Sequence, residues 1–261
     1  MRHLKGFGAL IFSFLITALF LAQGVFAEDR TPYNWYCKNN DTHTPPTLDS
    51  GMCFIEKYGG YYLDKKATDN DPVIYLTFDA GYENGNVEKI LDTLDRHGVK
   101  GCFFILENLV RRAPELVKRM AEEGHAVCNH TATHPDMSEI TDLSVFGAQL
   151  VRLEKAYTEL TGREMEKIYR PPQGRFSEEN LAFAEKLGYK TLFWSFAYAD
   201  WDNKKQPDPE WALEKILSHL HNGEVMLLHP TSSTNAAILD RLLTEIKGQG
   251  YRIGEIGELW S

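Results

Sequence analysis

The chain reads as an α/β fold. Two observations carry this. From residue 73 onward, short apolar runs alternate with amphipathic stretches of roughly ten to fifteen residues. Beyond these stretches stand Gly98, Gly124, Gly162, Gly188, Gly223 and Gly250, where helix C-caps belong. Strand–helix alternation implies parallel strands. About seven of them would suit either an open doubly wound sheet or a barrel, and the pattern alone leaves both open.

The elements follow in order. Residues 28–70 are loop-rich, with THTPPTLDSG at 42–51 and a cluster of Tyr58, Tyr61 and Tyr62. They read as an arm laid across the domain that follows. Strands are expected at 73–78, 102–106, 126–128, 168–169, 191–194, 225–228 and 251–253. Helices are expected at 87–97, 114–123, 144–160, 177–187, 209–220 and 235–247. Ser177 and Asp208 sit where N-caps belong, the second with Pro209 just inside its helix. No internal repeat or low-complexity tract interrupts this series.

Ahead of the arm, Arg2 and Lys5 precede an uncharged stretch at 6–27 with the apolar centre ALIFSFLITALFLA. Val25 and Ala27 offer small residues for cleavage, and Glu28 and Asp29 follow. This is the layout of a secretory signal over residues 1–27. The competing reading is an uncleaved anchor, since about twenty uncharged residues can span a bilayer. Either way residues 28–261 act outside the cytoplasm, with no other membrane partner expected. A net charge of −9 and the lack of a basic run exclude nucleic acid as a partner. A hydrophobic content of 43% suffices for a core, and a monomer is expected.

The chain has four cysteines. Cys37 and Cys53 flank a Pro/Thr/Asp segment and could pair in an exported protein. Cys102 and Cys128 lie in apolar runs and read as small buried residues. Without a C-x-x-C pair, a thiolate zinc knot is not expected.

In α/β folds ligands collect at the carboxyl ends of strands. Asp79 follows the first run, and His130-Thr131-Ala132-Thr133-His134 follows the third. Arg170-Pro171-Pro172-Gln173-Gly174, then Asp200 and Trp201, then His229 follow the next three. Five strand ends would bring titratable groups to one mouth.

His130 and His134 are four apart, so on a helical turn both imidazoles share a face and can reach one ion. Imidazole suits a zinc-like divalent metal. A surface loop with two histidines is the plainer alternative; Asp79 and His229 at neighbouring strand ends favour the metal. Asp79 alone could be a turn or helix-cap residue. Beside the Arg170 guanidinium it becomes an oriented, ionised carboxylate. A lone His229 after a buried strand reads as a core group. Asp200 on one of its nitrogens would fix its tautomer, raise its pKa and make it a competent general acid. Trp201 and Trp194 could floor a sugar site, though Trp194 reads equally well as core.

In this order TFDxG, HTxxH, RPPxG, DW and LLH resemble the five motifs of the polysaccharide deacetylases, carbohydrate esterase family 4, also called the NodB-homology domain. The resemblance runs from about residue 73 to 260, so the domain is set at 71–261. It implies a distorted (β/α) barrel of about seven parallel strands and a metal-dependent de-N-acetylation of a sugar polymer. By position it makes Asp79 the general base, Arg170 its orienting partner, His229 the general acid and Asp200 the group that tunes it. His130 and His134 would be metal ligands, and the Gln173 backbone amide would help bind the oxyanion.

The departures narrow the reading. Most of the family carries TFDDG, whose second Asp is a third metal ligand. This chain has Ala80 there, so Asp79 or solvent must complete the shell. Ala197 likewise stands where many members have another Asp. Gly81-Tyr82-Glu83-Asn84, Arg175-Phe176-Ser177 and FWSFAYADW at 193–201 resemble the muramic-acid de-N-acetylases of spore formers.

That subset implies peptidoglycan glycan strands as partner and N-acetylmuramic acid bare of its stem peptide as substrate, on the way to the muramic δ-lactam of the spore cortex. Tyr82, Glu83, Asn84, Pro172, Gln173 and Trp201 would contact the sugar. The alternatives are an N-acetylglucosamine deacetylase of peptidoglycan or chitin-like chains, and an inactive wall-glycan binder.

Overall fold

The structure, a computed structural model, describes residues 28–38 and 40–261. The expected signal or anchor at 1–27 lies outside the described residues. In chain order the strands are β1 (Tyr33–Asn34), β2 (Gly60–Tyr61), β3 (Val73–Ala80), β4 (Cys102–Ile105), β5 (Ala126–Asn129), β6 (Glu166–Tyr169), β7 (Arg175–Phe176), β8 (Lys190–Leu192), β9 (Glu224–Leu228) and β10 (Arg252–Ile253). The helices are α1 (Val87–His97), α2 (Glu107–Arg112), α3 (Pro114–Glu122), α4 (Leu143–Thr161), α5 (Glu178–Lys186), α6 (Pro209–Leu217) and α7 (Ser233–Gly248).

All seven expected strands form and pair in parallel. The order is β10-β3-β4-β5-β6-β8-β2, with β9 also on β3. Past β8 the chain meets β9 through a parallel bridge between Phe196 and Met226. Ser195 N donates to Val225 O and Leu227 N donates to Phe196 O, both at 2.9 Å. The sheet thereby curls round on itself into the distorted barrel, which the strand pattern alone had left undecided.

Strands buried on both faces explain the near-continuous apolar runs. Along β3 the side chains alternate. Val73 and Tyr75 join Phe104, Cys128 and Leu192 in one buried cluster inside the barrel. Ile74, Leu76 and Phe78 pack outward in the cluster that holds Ile90, Leu94 and Leu242 of the helices. Each such fully buried side chain contributes about 1.5–3 kcal/mol. The same period of two turns Asp79 inward and Ala80 outward.

Helix ends follow local chemistry. Gly98 ends α1 at φ 61°, a left-handed conformation that glycine adopts without a Cβ clash. Ser177 and Asn180 form a reciprocal capping box at α5, and Asp208 accepts from Trp211 N at α6. The short helix α2 was not legible as a separate element. It spans six residues, and Pro114 restricts Ala113 and breaks the helical run before α3 begins.

The arm is more regular than expected. Residues Ser50–Tyr58 form a 3-10 helix, β1 pairs antiparallel with β7, and β2 joins the barrel sheet beside β8. Trp35 stacks on Phe193 with centroids 4.3 Å apart and donates from Nε1 to Trp194 O at 2.9 Å. Cys37 and Cys53, whose pairing the sequence left open, are not joined. Both thiols are free, Cys37 donating to Trp194 O and Cys53 to Asp49 O. Cys102 and Cys128 are buried, as expected. No helix among the described residues is long and apolar enough to cross a membrane.

Candidate active site

A cavity of about 740 Å³ opens at the carboxyl ends of the barrel strands, lined among others by Asp79, His130, His134, Gln173, Trp201 and His229. Arg170 and Asp200 stand behind this wall, 0% and 1% exposed. The five strand ends singled out in the sequence converge on one place.

Asp79 and Arg170 face each other across the barrel. Arg170 Nη1 donates to Asp79 Oδ1 at 2.8 Å. Its Nε and Nη2 donate to Leu192 O and Phe193 O, and the Phe104 ring lies 4.1 Å from the guanidinium carbon. So each nitrogen of the buried cation has an acceptor, and its carboxylate partner is held in one orientation. Burial pushes the Asp79 carboxyl upward, but attraction to His130, Arg170 and His229 outweighs it and holds Asp79 below its ordinary range.

His130 and His134 do approach each other, ring centroids 5.0 Å apart, but not on a helical turn. The 130–134 segment is a loop in which Thr131 and His134 take positive φ, 73° and 58°. Pro135 follows His134 and disfavours helical conformation there. The loop is tightened instead by side chains. Thr131 N donates to Asn129 Oδ1, and His134 N donates to Thr131 Oγ1, both at 2.9 Å.

His130 Nδ1 lies 2.9 Å from Arg170 O, a carbonyl, so Nδ1 carries the proton and Nε2 keeps its lone pair. That Nε2 is 3.5 Å from Asp79 Oδ2, the oxygen Arg170 leaves open. Burial lowers both imidazoles, His130 to about 4, so they are neutral near pH 7. Neutral imidazoles beside a carboxylate fit a divalent cation. Among the described residues no three His, Cys, Asp or Glu side chains are grouped to enclose one.

At the end of β9, the strand paired with β3, His229 Nδ1 is 2.7 Å from Asp200 Oδ1, and His229 N donates to Asp200 Oδ2 at 2.7 Å. Burial would lower the His229 pKa, but the charge and hydrogen bond of Asp200 overcome it and the shift is upward. One cavity thus presents an ionised carboxylate and an imidazole whose protonated form is favoured.

Comparison with known proteins identifies the setting. The polysaccharide deacetylase family matches residues 66–192. The peptidoglycan-N-acetylmuramic acid deacetylase PdaA of Bacillus subtilis is 38% identical, over 95% of this chain and 94% of that one. This chain belongs to the polysaccharide deacetylases. The solved structure of PdaA, a family 4 carbohydrate esterase, superposes with a TM-score of 0.84 at 37% identity, covering 88% of this chain and 97% of that one. The peptidoglycan-N-acetylglucosamine deacetylase PgdA of Listeria monocytogenes is 36% identical over 72% of this chain and 38% of that one.

As a polysaccharide deacetylase the chain is a hydrolase of amide bonds, and its remaining site residues divide into wall and scaffold. Trp201, 64% exposed, is on the cavity rim, and Trp194 lines the cavity while packing against the core. Pro172 is buried and opens the turn that sets Gln173 at φ 59°.

Tyr82, Glu83 and Asn84, expected at the sugar, are not among the lining residues. Tyr82 OH accepts from the Asn203 amide. Glu83 accepts from Gly85 N and Val87 N and so caps α1. Asn84 and Asn86 both donate to Thr231 O, two residues past His229, at 2.9 and 3.1 Å. These residues tie together three loops of the deacetylase mouth. Sequence reasoning missed Asn86, Thr231 and Asn235, since buried polar residues in loops and first helical turns have no periodicity to mark them.

Proposed function

We propose that this deacetylase acts outside the cytoplasm on peptidoglycan, removing the acetyl group from N-acetylmuramic acid units that lack a stem peptide. The reading is supported by the PdaA likeness along nearly the whole chain. The observation that carries the chemistry is the pairing of Asp79 and His229 on one cavity, one shifted toward carboxylate and the other toward imidazolium.

Asp79 accepts a proton from the attacking water, held in orientation by Arg170. The new C–O bond forms at the acetyl carbonyl, and the Gln173 backbone amide is the proposed donor to the resulting oxyanion. His229 protonates the sugar nitrogen as the C–N bond breaks, giving acetate and a free amine. His130 and His134, with Asp79 or solvent, are the proposed holders of a zinc-like divalent ion, which would polarise the carbonyl and acidify the water. The freed amine beside the lactyl carboxylate is set up to close the muramic δ-lactam, which places the enzyme in cortex modification during sporulation.

The test is mass spectrometry of peptide-free glycan strands after incubation with zinc-loaded protein. Acetyl loss on muramic acid supports the proposal. Free amine on glucosamine units alone would favour the activity for which PgdA is named. No turnover with any divalent metal would favour a glycan binder.

A further inference from the structure

We infer that Asn235 is a positioning residue for the general acid, holding Asp200 and the His229 main chain in the arrangement that turns the imidazole into the cavity. The inference rests on the proposed role of His229. Asn235 is 1% exposed, is absent from the cavity wall, and lies in the first turn of α7. Its Nδ2 donates twice, to Asp200 Oδ2 at 2.6 Å and to His229 O at 3.0 Å. Its Oδ1 accepts from Tyr198 OH. One amide therefore joins α7, the 198–200 loop and the end of β9.

Asp200 needs such a partner. It is buried, and among the described ion pairs its one partner is His229 itself. A buried carboxylate without a permanent cation relies on N–H donors for its hydrogen bonds. Oδ1 faces the imidazole; Oδ2 has His229 N and Asn235 Nδ2. Without the amide, Oδ2 keeps the His229 main-chain donor alone, and the carboxylate is freer to turn away from the ring.

A role confined to helix capping does not account for the side chain. The α7 cap is made by Ser232 Oγ, which accepts from Asn235 N at 3.1 Å, and any residue at 235 supplies that N–H. Burial alone would be met by leucine. An aspartate would keep the shape but set a second carboxylate against Asp200. The amide is the group that donates to both Asp200 and His229 while matching Tyr198.

The test uses the full-length, zinc-loaded protein with Asn235→Leu and Asn235→Asp, each also in an Asp200→Asn background. Losing a hydrogen-bond partner behind a functional imidazole costs about 10- to 100-fold. That loss is expected in kcat, with KM within about twofold. In the Asp200→Asn background no further loss is expected, because the group being positioned is already disabled.

A second readout needs no substrate. The Nδ1–H proton of His229, hydrogen-bonded to Asp200, should resonate far downfield in the proton NMR spectrum and vanish in His229→Gln. In Asn235→Leu it should move upfield or broaden away. An unmoved resonance, an unchanged kcat, or a full additional loss in the Asp200→Asn background would overturn the inference. If Asn235→Leu fails to fold, Asn235→Asp carries the same test. If the wild type turns over no glycan, the proposed function falls, and the NMR experiment still decides the role of Asn235.

Discussion

Replacing Ala80 by aspartate restores the acid that the family pattern has and this chain lacks, and the structure sets what it should cost. Ala80 is 0% exposed and belongs to the apolar cluster that includes Val87, Leu109 and Ala132. A fully buried carboxyl without a partner has its pKa raised by about 3 to 5 units. At about 1.4 kcal/mol per unit, and with only some 3 units between its ordinary value and neutral pH, Ala80→Asp should destabilise the metal-free protein by about 4 kcal/mol.

The sign follows from the raised acid pKa. The penalty is absent well below the ordinary aspartate value and grows as pH rises through it. For a chain of this size it corresponds to a melting point lower by about 8–16 °C. Leu106 N donates to Ala80 O at 3.4 Å and Glu107 N to Ala132 O at 3.2 Å, so successive residues link position 80 to the imidazole loop, and zinc should restore stability to the variant more than to wild type. Thermal unfolding with zinc and with chelator, at neutral and acid pH, measures both effects. A metal-free variant that melts with wild type at neutral pH would refute the burial reasoning. A deficit that zinc leaves untouched would mean that position 80 does not reach the ion.

Other outcomes follow from the same geometry. Asp79→Asn should lower kcat by about 10²- to 10⁴-fold while unfolding stays cooperative, and near wild-type kcat would remove Asp79 as base. In kcat/KM against pH the alkaline limb should lie above the ordinary histidine value of 6.5, because Asp200 raises His229. A limb at or below 6.5 would refute that pairing. The stability that Asp200 lends to the His229 imidazolium should likewise be present below 6.5 and be lost as pH rises through the raised value. Glu224 is fully buried, with Oε1 unpartnered, and burial raises its pKa well above 4.5. Glu224→Gln should therefore match wild type at pH 4 and exceed it increasingly toward neutral pH, in urea unfolding, by at most about 1.4 kcal/mol per pH unit. An advantage that does not change with pH would contradict a neutral Glu224.

What could be read from the chain alone was what local physics determines. Seven apolar runs marked the barrel strands because a parallel strand covered on both faces must be apolar throughout. Ser177 and Asp208 marked helix starts because a cap bonds within three residues. Asp79, His130, Arg170, Asp200 and His229 stood out because strand ends are where such folds collect chemistry.

Three things only the tertiary structure decided. Closure of the sheet rests on the contact of Phe196 with Met226, distant in sequence and unmarked by any pattern. The approach of His130 to His134 comes from a loop with two left-handed residues, where i,i+4 spacing suggested a helical turn. The scaffold roles of Asn84 and Asn235 depend on backbone groups that the fold carries to them, Thr231 O and His229 O. Spacing shows which side chains can share a strand end or a helix face. It does not show which buried donor meets which acceptor, because that is settled only when the whole core packs and each buried polar group must find a partner.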